Sequence, residues 1–379
     1  YINDLKILRR LGGLALEDGK PLFERVYLEI PPEKSFEEIA RENIENSNPL
    51  KSGELNISYC VNFLKKAIET SRNQDYKLVW KLPRIAHKDV KESIVKILAI
   101  LGKMDLKIDI MSSLIGFDDS LKDKFGIEIY GNYPLNAYNL STVVELKNYK
   151  MLSISPELYS KDIANLLDDY HAMNKRLCDE REIGELEMIV HGNIESMTSR
   201  KEIISKKQLK LVEKYNKNQK KKSRNAKWKN ETDYANLKNE TSYANQKNKT
   251  DYANLKNKTA YANQKKETKD SKRMIEGNEF YLKNRKNQYY PIKRSLADDN
   301  IIILNAEEFC LINEIEFLKS KGLSNFAIDA RWKSADYVEE VGMAYRRSID
   351  GHPDLELSRE IIKKYSANAS EGNFNTGLK

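Results

Sequence analysis

Within Gly184–Ser199 (GELEMIVHGNIESMTS), an acid and an imidazole stand four residues apart, at Glu187 and His191. Leu186, Met188 and Val190 alternate with Glu187, Ile189 and His191, so a strand here would send the acid and the imidazole to one face. Together they could ligate a metal or act as base and acid. The plainer alternative is a buried Glu–His hydrogen bond that orients a loop. Gly192 closes the run with a residue that can turn or admit close approach to its backbone. Asp329 and Arg331 also share a face, suited either to an internal salt bridge or to gripping a carboxylate or phosphate with the arginine fork. Arg84, after Pro83, is placed for an anion, although a lone loop arginine can equally be a surface charge.

Asn136 and Glu157 complete the candidates. Asparagine in a turn ordinarily ties side chain to backbone. Glu157, after Pro156, suits the first turn of a helix, where acids meet the positive end of the dipole. Glu187, His191, Asp329 and Arg331 are therefore the catalytic candidates, and Arg84, Asn136 and Glu157 the substrate-binding ones; no metal is assigned. Arg84, Asn136, Glu157, His191, Asp329 and Arg331 all lie at or just past a predicted strand end.

The elements that would position them alternate. Strands are predicted at Arg25–Ile30, Tyr76–Leu82, Ile108–Ile115, Ile127–Tyr130, Met151–Ser155, Leu186–His191 and Asn325–Ala330, with a strand-like run at Ile301–Asn305. Helical spacing falls at Glu33–Asn46, Asn62–Thr70, Asp89–Gly102, Asn139–Leu146, Ser160–Asp168, Ala306–Lys321 and Ser334–Asp350. This rhythm predicts an α/β fold, a (β/α)8-type barrel of parallel strands with helical crossovers. In such a barrel the C-terminal strand ends converge on one mouth.

The alternation stops at 206–272, which is rich in Lys, Asn and Tyr and repeats with period nine from Tyr234 through Tyr243, Tyr252 and Tyr261. Nine residues turn a helix by about half a revolution beyond whole turns, so no continuous apolar stripe forms. A long disordered insertion is expected, because nothing in it offsets the entropy of ordering. The expected organisation is then 1–205 as the larger part of the barrel, 206–272 as insertion, 273–365 as the remainder with a small hairpin, and 366–379 as a flexible tail.

Of the net charge of +8, the positive excess lies in the insertion, where basic residues outnumber acids roughly three to one. The insertion could be a solvated repeat, or a polybasic arm whose tyrosines stack on the bases of RNA. Cys60, Cys178 and Cys310 are odd in number and far apart, as expected of reduced thiols in a cytoplasmic protein. No run approaches the ~20 apolar residues of a membrane span. G-x-S-x-G, H-E-x-x-H and phosphate-loop motifs are absent, so the residues alone expose no familiar nucleophile.

Several segments nevertheless occur together in a known order. These are Lys81-Leu82-Pro83-Arg84-Ile85, Tyr133-Pro134-Leu135-Asn136-Ala137-Tyr138-Asn139, Leu152-Ser153-Ile154-Ser155-Pro156-Glu157-Leu158 and Glu187–Gly192. Ile303-Leu304-Asn305-Ala306-Glu307-Glu308 and Phe326-Ala327-Ile328-Asp329-Ala330-Arg331 follow, the latter trailed by Tyr345-Arg346. Together they resemble the collagenase-like peptidase family, family 32 of the peptidases of unknown catalytic type, over roughly residues 76–350 apart from the insertion. The resemblance implies a strand–helix barrel and a protease acting on a peptide substrate. Some relatives instead support hydroxylation of RNA bases and bind an iron–sulfur cluster through cysteines, two of them just after the His-Gly step. Asn193–Glu202 and Leu296–Ile302 contain no cysteine here, and thiolates are what hold such clusters. An iron–sulfur cluster is therefore not expected, and a catalytically degenerate copy is the remaining alternative.

Overall fold

The computed structural model describes residues 1–14, 16, 20–33, 55–176, 183–199, 273–276, 279–295, 300–365 and 369–375. The expected helix at Glu33–Asn46, all but its first residue, and the whole 206–272 insertion lie outside them. The chain forms two compact units, Tyr1–Ser35 with Asn48–Lys201 and Lys293–Lys379, and Phe36–Ser47 with Glu202–Ile292.

The first unit is a mixed α/β structure built on a curled parallel sheet. Its elements begin with helix α1 (Leu5–Leu11), strand β1 (Arg25–Glu29), α2 (Ile57–Ser71), β2 (Lys77–Lys81), α3 (Lys88–Lys103), β3 (Asp109–Ser112) and α4 (Phe117–Phe125). There follow β4 (Ile129–Gly131), α5 (Leu140–Glu145), β5 (Met151–Ile154), α6 (Ser160–Arg176), β6 (Glu185–Gly192) and β7 (Glu195–Ser199). β1 through β6 pair in parallel, each with the next. The crossovers are amphipathic. On α3, Val90, Ile94, Ile97, Leu98 and Leu101 are buried at helical spacing, and Asp89 in the first turn favours the helix dipole.

The second unit contributes, among the described residues, β8 (Arg273–Glu276), β9 (Glu279–Lys283) and the start of β10 (Tyr289–Arg294), paired antiparallel. The Asn284–Asn287 turn carries this hairpin: the Asn284 side chain accepts from the backbone N–H of Lys286 and Gln288.

Back in the first unit come β11 (Ile301–Leu304), β12 (Glu308–Cys310), α7 (Ile315–Ser320), β13 (Asn325–Asp329), α8 (Ala335–Ile349), α9 (Leu355–Tyr365) and β14 (Ala369–Ser370). β13 pairs in parallel with β6, and β11 lies antiparallel to β7. Two expectations change here. Ala306–Lys321 is not one helix: Glu308–Cys310 is a strand antiparallel to the end of β6, Ile312–Glu314 a 3-10 turn, and only Ile315–Ser320 an α-helix. The 366–379 tail is partly built in, because β14 pairs with β12 and Phe374 is 1% exposed.

The curl shows in contacts across the sheet. Arg25 on β1 reaches the Met151 sulfur on β5, and Tyr27 on β1 reaches Glu187 on β6. Strands this far apart in pairing order meet only when the sheet bends round. Tyr1 and Ile2 lie against both edges. The Tyr1 nitrogen donates to the Ile328 carbonyl at 2.7 Å, and Ala330 N–H donates back to Tyr1. On the other side Ile2 N–H donates to Tyr27 and Glu29 N–H to Ile2, both at 2.9 Å.

Candidate functional site

The C-terminal strand ends carry a dense ion network. Glu29 ends β1, Lys81 ends β2 and Asp329 ends β13. Arg331, whose side chain is 0% exposed, joins them. Its Nη2 and Nε grip Asp329 at 2.6 and 2.9 Å, while Nη1 donates to Glu29 at 2.7 Å and to Glu195 at 2.6 Å. Lys81 Nζ donates to the same Glu29 oxygen at 2.6 Å. Arg84, half-buried, stands 3.9 Å from Glu195, and the Tyr133 hydroxyl accepts the Glu195 backbone N–H. Burial by itself would raise the Glu29 carboxyl, but Lys81 and Arg331 overcome it and hold the group down at about 2. Burial would lower Arg331, yet Asp329, Glu29 and Glu195 push it well above its ordinary value.

In this arrangement Asp329 and Arg331 form an internal ion pair. Four of the five guanidinium N–H groups are engaged by carboxylates. Arg331 is an internal tie between strand ends; it has little capacity left for an incoming anion. Gly192 belongs to the same construction. Its φ of +125° is unfavourable to other residues, and a Cβ there would fall 2.2 Å from the Asp329 carbonyl oxygen. The close approach that glycine permits is that of β13.

Glu187 and His191 do not meet. Along the β6–β13 pairing, Ala327 faces Ile189 but Ile328 faces His191, so Val190 is an extra residue in β6. One inserted residue reverses the alternation beyond it. Glu187 stays with the groups inside the curled sheet. It accepts from the Tyr27 hydroxyl and from Ser153 Oγ, both at 2.8 Å, and from Tyr1 at 3.3 Å, with Arg25 3.7 Å away. It also lines, with Arg25, Tyr27 and Asn325, a cavity of about 150 Å³.

His191 faces helix α8 instead. Its Nδ1 is 3.2 Å from the Tyr345 hydroxyl. That hydroxyl also donates to the Val190 carbonyl at 2.9 Å. Nε2 sits 3.4 Å from Glu308 Oε1, a charge contact lacking the alignment of a hydrogen bond. Glu308 is itself fixed by the Tyr337 hydroxyl and by Lys333 Nζ at 2.9 Å. Cys310 lies directly opposite His191 across the β6–β12 pair, its sulfur 3.7 Å from the same Tyr345 oxygen.

The two groups shift each other. Burial would lower His191, but Cys310 and Glu308 raise it above its ordinary value. Burial would raise the Cys310 thiol, but His191, the Ile312 N–H and Tyr345 carry it below the usual thiol range. Cys60, buried in α2 without such a neighbour, is pushed up to about 12 by burial.

The remaining candidates are elsewhere. Asn136 is exposed, takes a left-handed conformation (φ +55°) and closes the Tyr133–Leu135 turn. Glu157 is exposed and accepts from the Tyr138 hydroxyl at 2.9 Å. Glu29, Lys81, Glu195, Glu308 and Cys310 were not among the sequence candidates. Glu29 and Lys81 do carry a legible signal, since each is a charge directly following three apolar or aromatic strand residues; Cys310 was hidden in a stretch read as helix.

Among the described residues no group of three or more His, Cys, Asp or Glu side chains is arranged to hold a metal ion, and no helix is long and apolar enough to cross a membrane. Compared with known proteins, the sequence model of peptidase family U32 matches residues 55–378. No curated protein and no solved structure matches the chain.

Proposed function

The chain belongs to peptidase family U32, and from that premise we propose that it cleaves peptide bonds at the C-terminal end of β6, with His191 as the proton-carrying group. The family match over residues 55–378 is the observation that carries this reading. The surroundings of His191 support it. A general base or acid works best with its pKa near the working pH and its ring held in one orientation. Tyr345 and Glu308 supply that orientation from two sides.

In this reading the Glu29–Lys81–Glu195–Asp329–Arg331 network is the rigid rim that fixes the strand ends, and Asp329 and Arg331 act by positioning. Arg84, the one of its cations that is partly exposed, would meet the substrate. Glu187 supports the sheet interior. We further read the sheet as a (β/α)8-type ring in which Tyr1–Ile2 is the eighth member, supported by its four backbone bonds to β1 and β13. Strong hydrogen-exchange protection of Ile2 and Ala330 amides is expected of a closed ring, and exchange at the rate of an open edge would break it.

The full chain, incubated with unfolded protein and fluorogenic peptides, should release cleaved product. His191→Gln should lower kcat by roughly 100-fold or more, the usual effect of removing an acid–base group. Equal rates for the unaltered protein and the variant would remove His191 from the chemistry.

A further inference from the structure

Resting on the peptidase reading and giving it a catalytic type, we propose that Cys310 is a thiolate nucleophile for acyl transfer, paired with His191 and oriented through Glu308. Three geometric facts combine. Cys310 and His191 are direct cross-strand partners on β12 and β6. The Tyr345 hydroxyl touches both, at 3.7 Å from the sulfur and 3.2 Å from Nδ1. The imidazole is wholly buried, and its Nε2 has no hydrogen-bond partner, standing instead against the Glu308 carboxylate. Nucleophile, base and a third group that steadies the base are the constellation that activates a thiol.

Of the cysteines among the described residues, Cys60 is buried and Cys310 is partly exposed. Its sulfur also receives the Ile312 N–H. The charged groups facing the pair come from every neighbouring element. Glu308 lies on β12, Lys333 precedes α8 and pairs with Glu308, and Tyr337 and Tyr345 come from α8.

The step balances without an oxidant or metal. The thiol proton passes to His191, and the sulfur attacks the carbonyl carbon of the scissile amide. The C–N bond breaks, and the departing amine takes the proton from the imidazolium. Water then attacks the thioester, releasing the carboxylic acid and restoring the thiol.

The test uses the full chain and three readouts. Iodoacetamide labelling, followed by mass spectrometry of the Cys310 and Cys60 peptides, should give Cys310 an inflection below the ordinary thiol value of 9.0. Cys60 should stay unlabelled in the same range. His191→Ala should move the Cys310 inflection upward. p-Nitrophenyl acetate should place an acetyl group on Cys310, lost in Cys310→Ala, and peptide cleavage should fall at least 100-fold in Cys310→Ser. A Cys310 that labels no faster than Cys60, in the unaltered protein, overturns the proposal whether or not any variant folds. Cleavage that persists in Cys310→Ser overturns it too, while leaving the family reading intact. Acetylation and turnover at Cys310 without any peptide cleavage would sustain the nucleophile and overturn the peptidase reading instead.

Discussion

Two charged regions flank the C-terminal end of β6, one on its β13 side and one on its β12 side, and they differ in what their groups can do. Around Arg331, three carboxylates and two buried cations answer one another at 2.6–2.9 Å. One buried oxygen there, Glu195 Oε2, lacks a hydrogen bond, with Arg84 3.9 Å away; around His191 a buried nitrogen lacks one as well, and the sulfur beside it is partly exposed. The lesson is that density of charge does not mark the reactive place. A buried guanidinium held by three carboxylates is a structural tie, because disturbing it would strand several desolvated charges. Reactivity needs a group whose partners stabilise more than one protonation state. Of these two regions, the one around His191 holds a histidine raised and a thiol lowered from their ordinary values, each by the other.

This contrast is breakable, and the largest effect should come from the rim. Arg331→Ala leaves Glu29, Asp329 and Glu195 buried with Lys81 and the more distant Arg84 to answer them, and should cost about 3–5 kcal/mol of stability, read by urea denaturation. Arg331→Lys should recover little, since an ammonium cannot span three carboxylates. A mild loss in either would mean that the rim is not a structural tie.

Acid comes next. The folded carboxyl of Glu29 is held down at about 2, against 4.5 ordinarily. Because it is depressed, its contribution is complete above the ordinary value and decays as pH falls toward 2. The other pair works in a different window. The raised His191 contributes below its ordinary value and loses that contribution as pH rises through the raised one. The lowered Cys310 contributes above the usual thiol range and loses its contribution as pH falls through its lowered value. Acid unfolding of Lys81→Met should therefore begin at higher pH than that of the unaltered protein. The Cys310 labelling profile should stay where it was. Joint movement of both would show that the two regions are one.

A smaller effect should follow from Gly192→Ala, where positive φ and the close Asp329 carbonyl together cost roughly 1–3 kcal/mol in thermal denaturation. Smallest of all is Glu157→Gln. Its exposed carboxylate holds one tyrosine hydroxyl, so stability should change by less than about 0.5 kcal/mol and peptide cleavage not measurably. A large loss of cleavage in Glu157→Gln would return that residue to the site.

Part of this was legible in the chain. The strands at 25–29, 77–81, 151–154 and 185–192 show in apolar runs closed by Pro, Ser or Gly, and α3 shows in its apolar spacing. Asp329 and Arg331 share a face at a strand end, which local alternation reveals. The fate of His191 was not legible. Its face depends on Val190 being the extra residue in the pairing with β13, and a bulge is a property of two strands. Cys310 was masked for a related reason, since Glu308–Cys310 becomes a strand only by docking on the end of β6 and on β14.

By itself, the sequence determined the strand–helix rhythm, the strand ends that carry charge and the glycine at 192, because each follows from side-chain spacing or backbone freedom within a few residues. Only the tertiary structure decided that Arg331 meets Glu29 from 302 positions away, that Glu187 turns inward, and that His191 turns to Cys310. Those contacts depend on register and curl, and neither is encoded in any one segment.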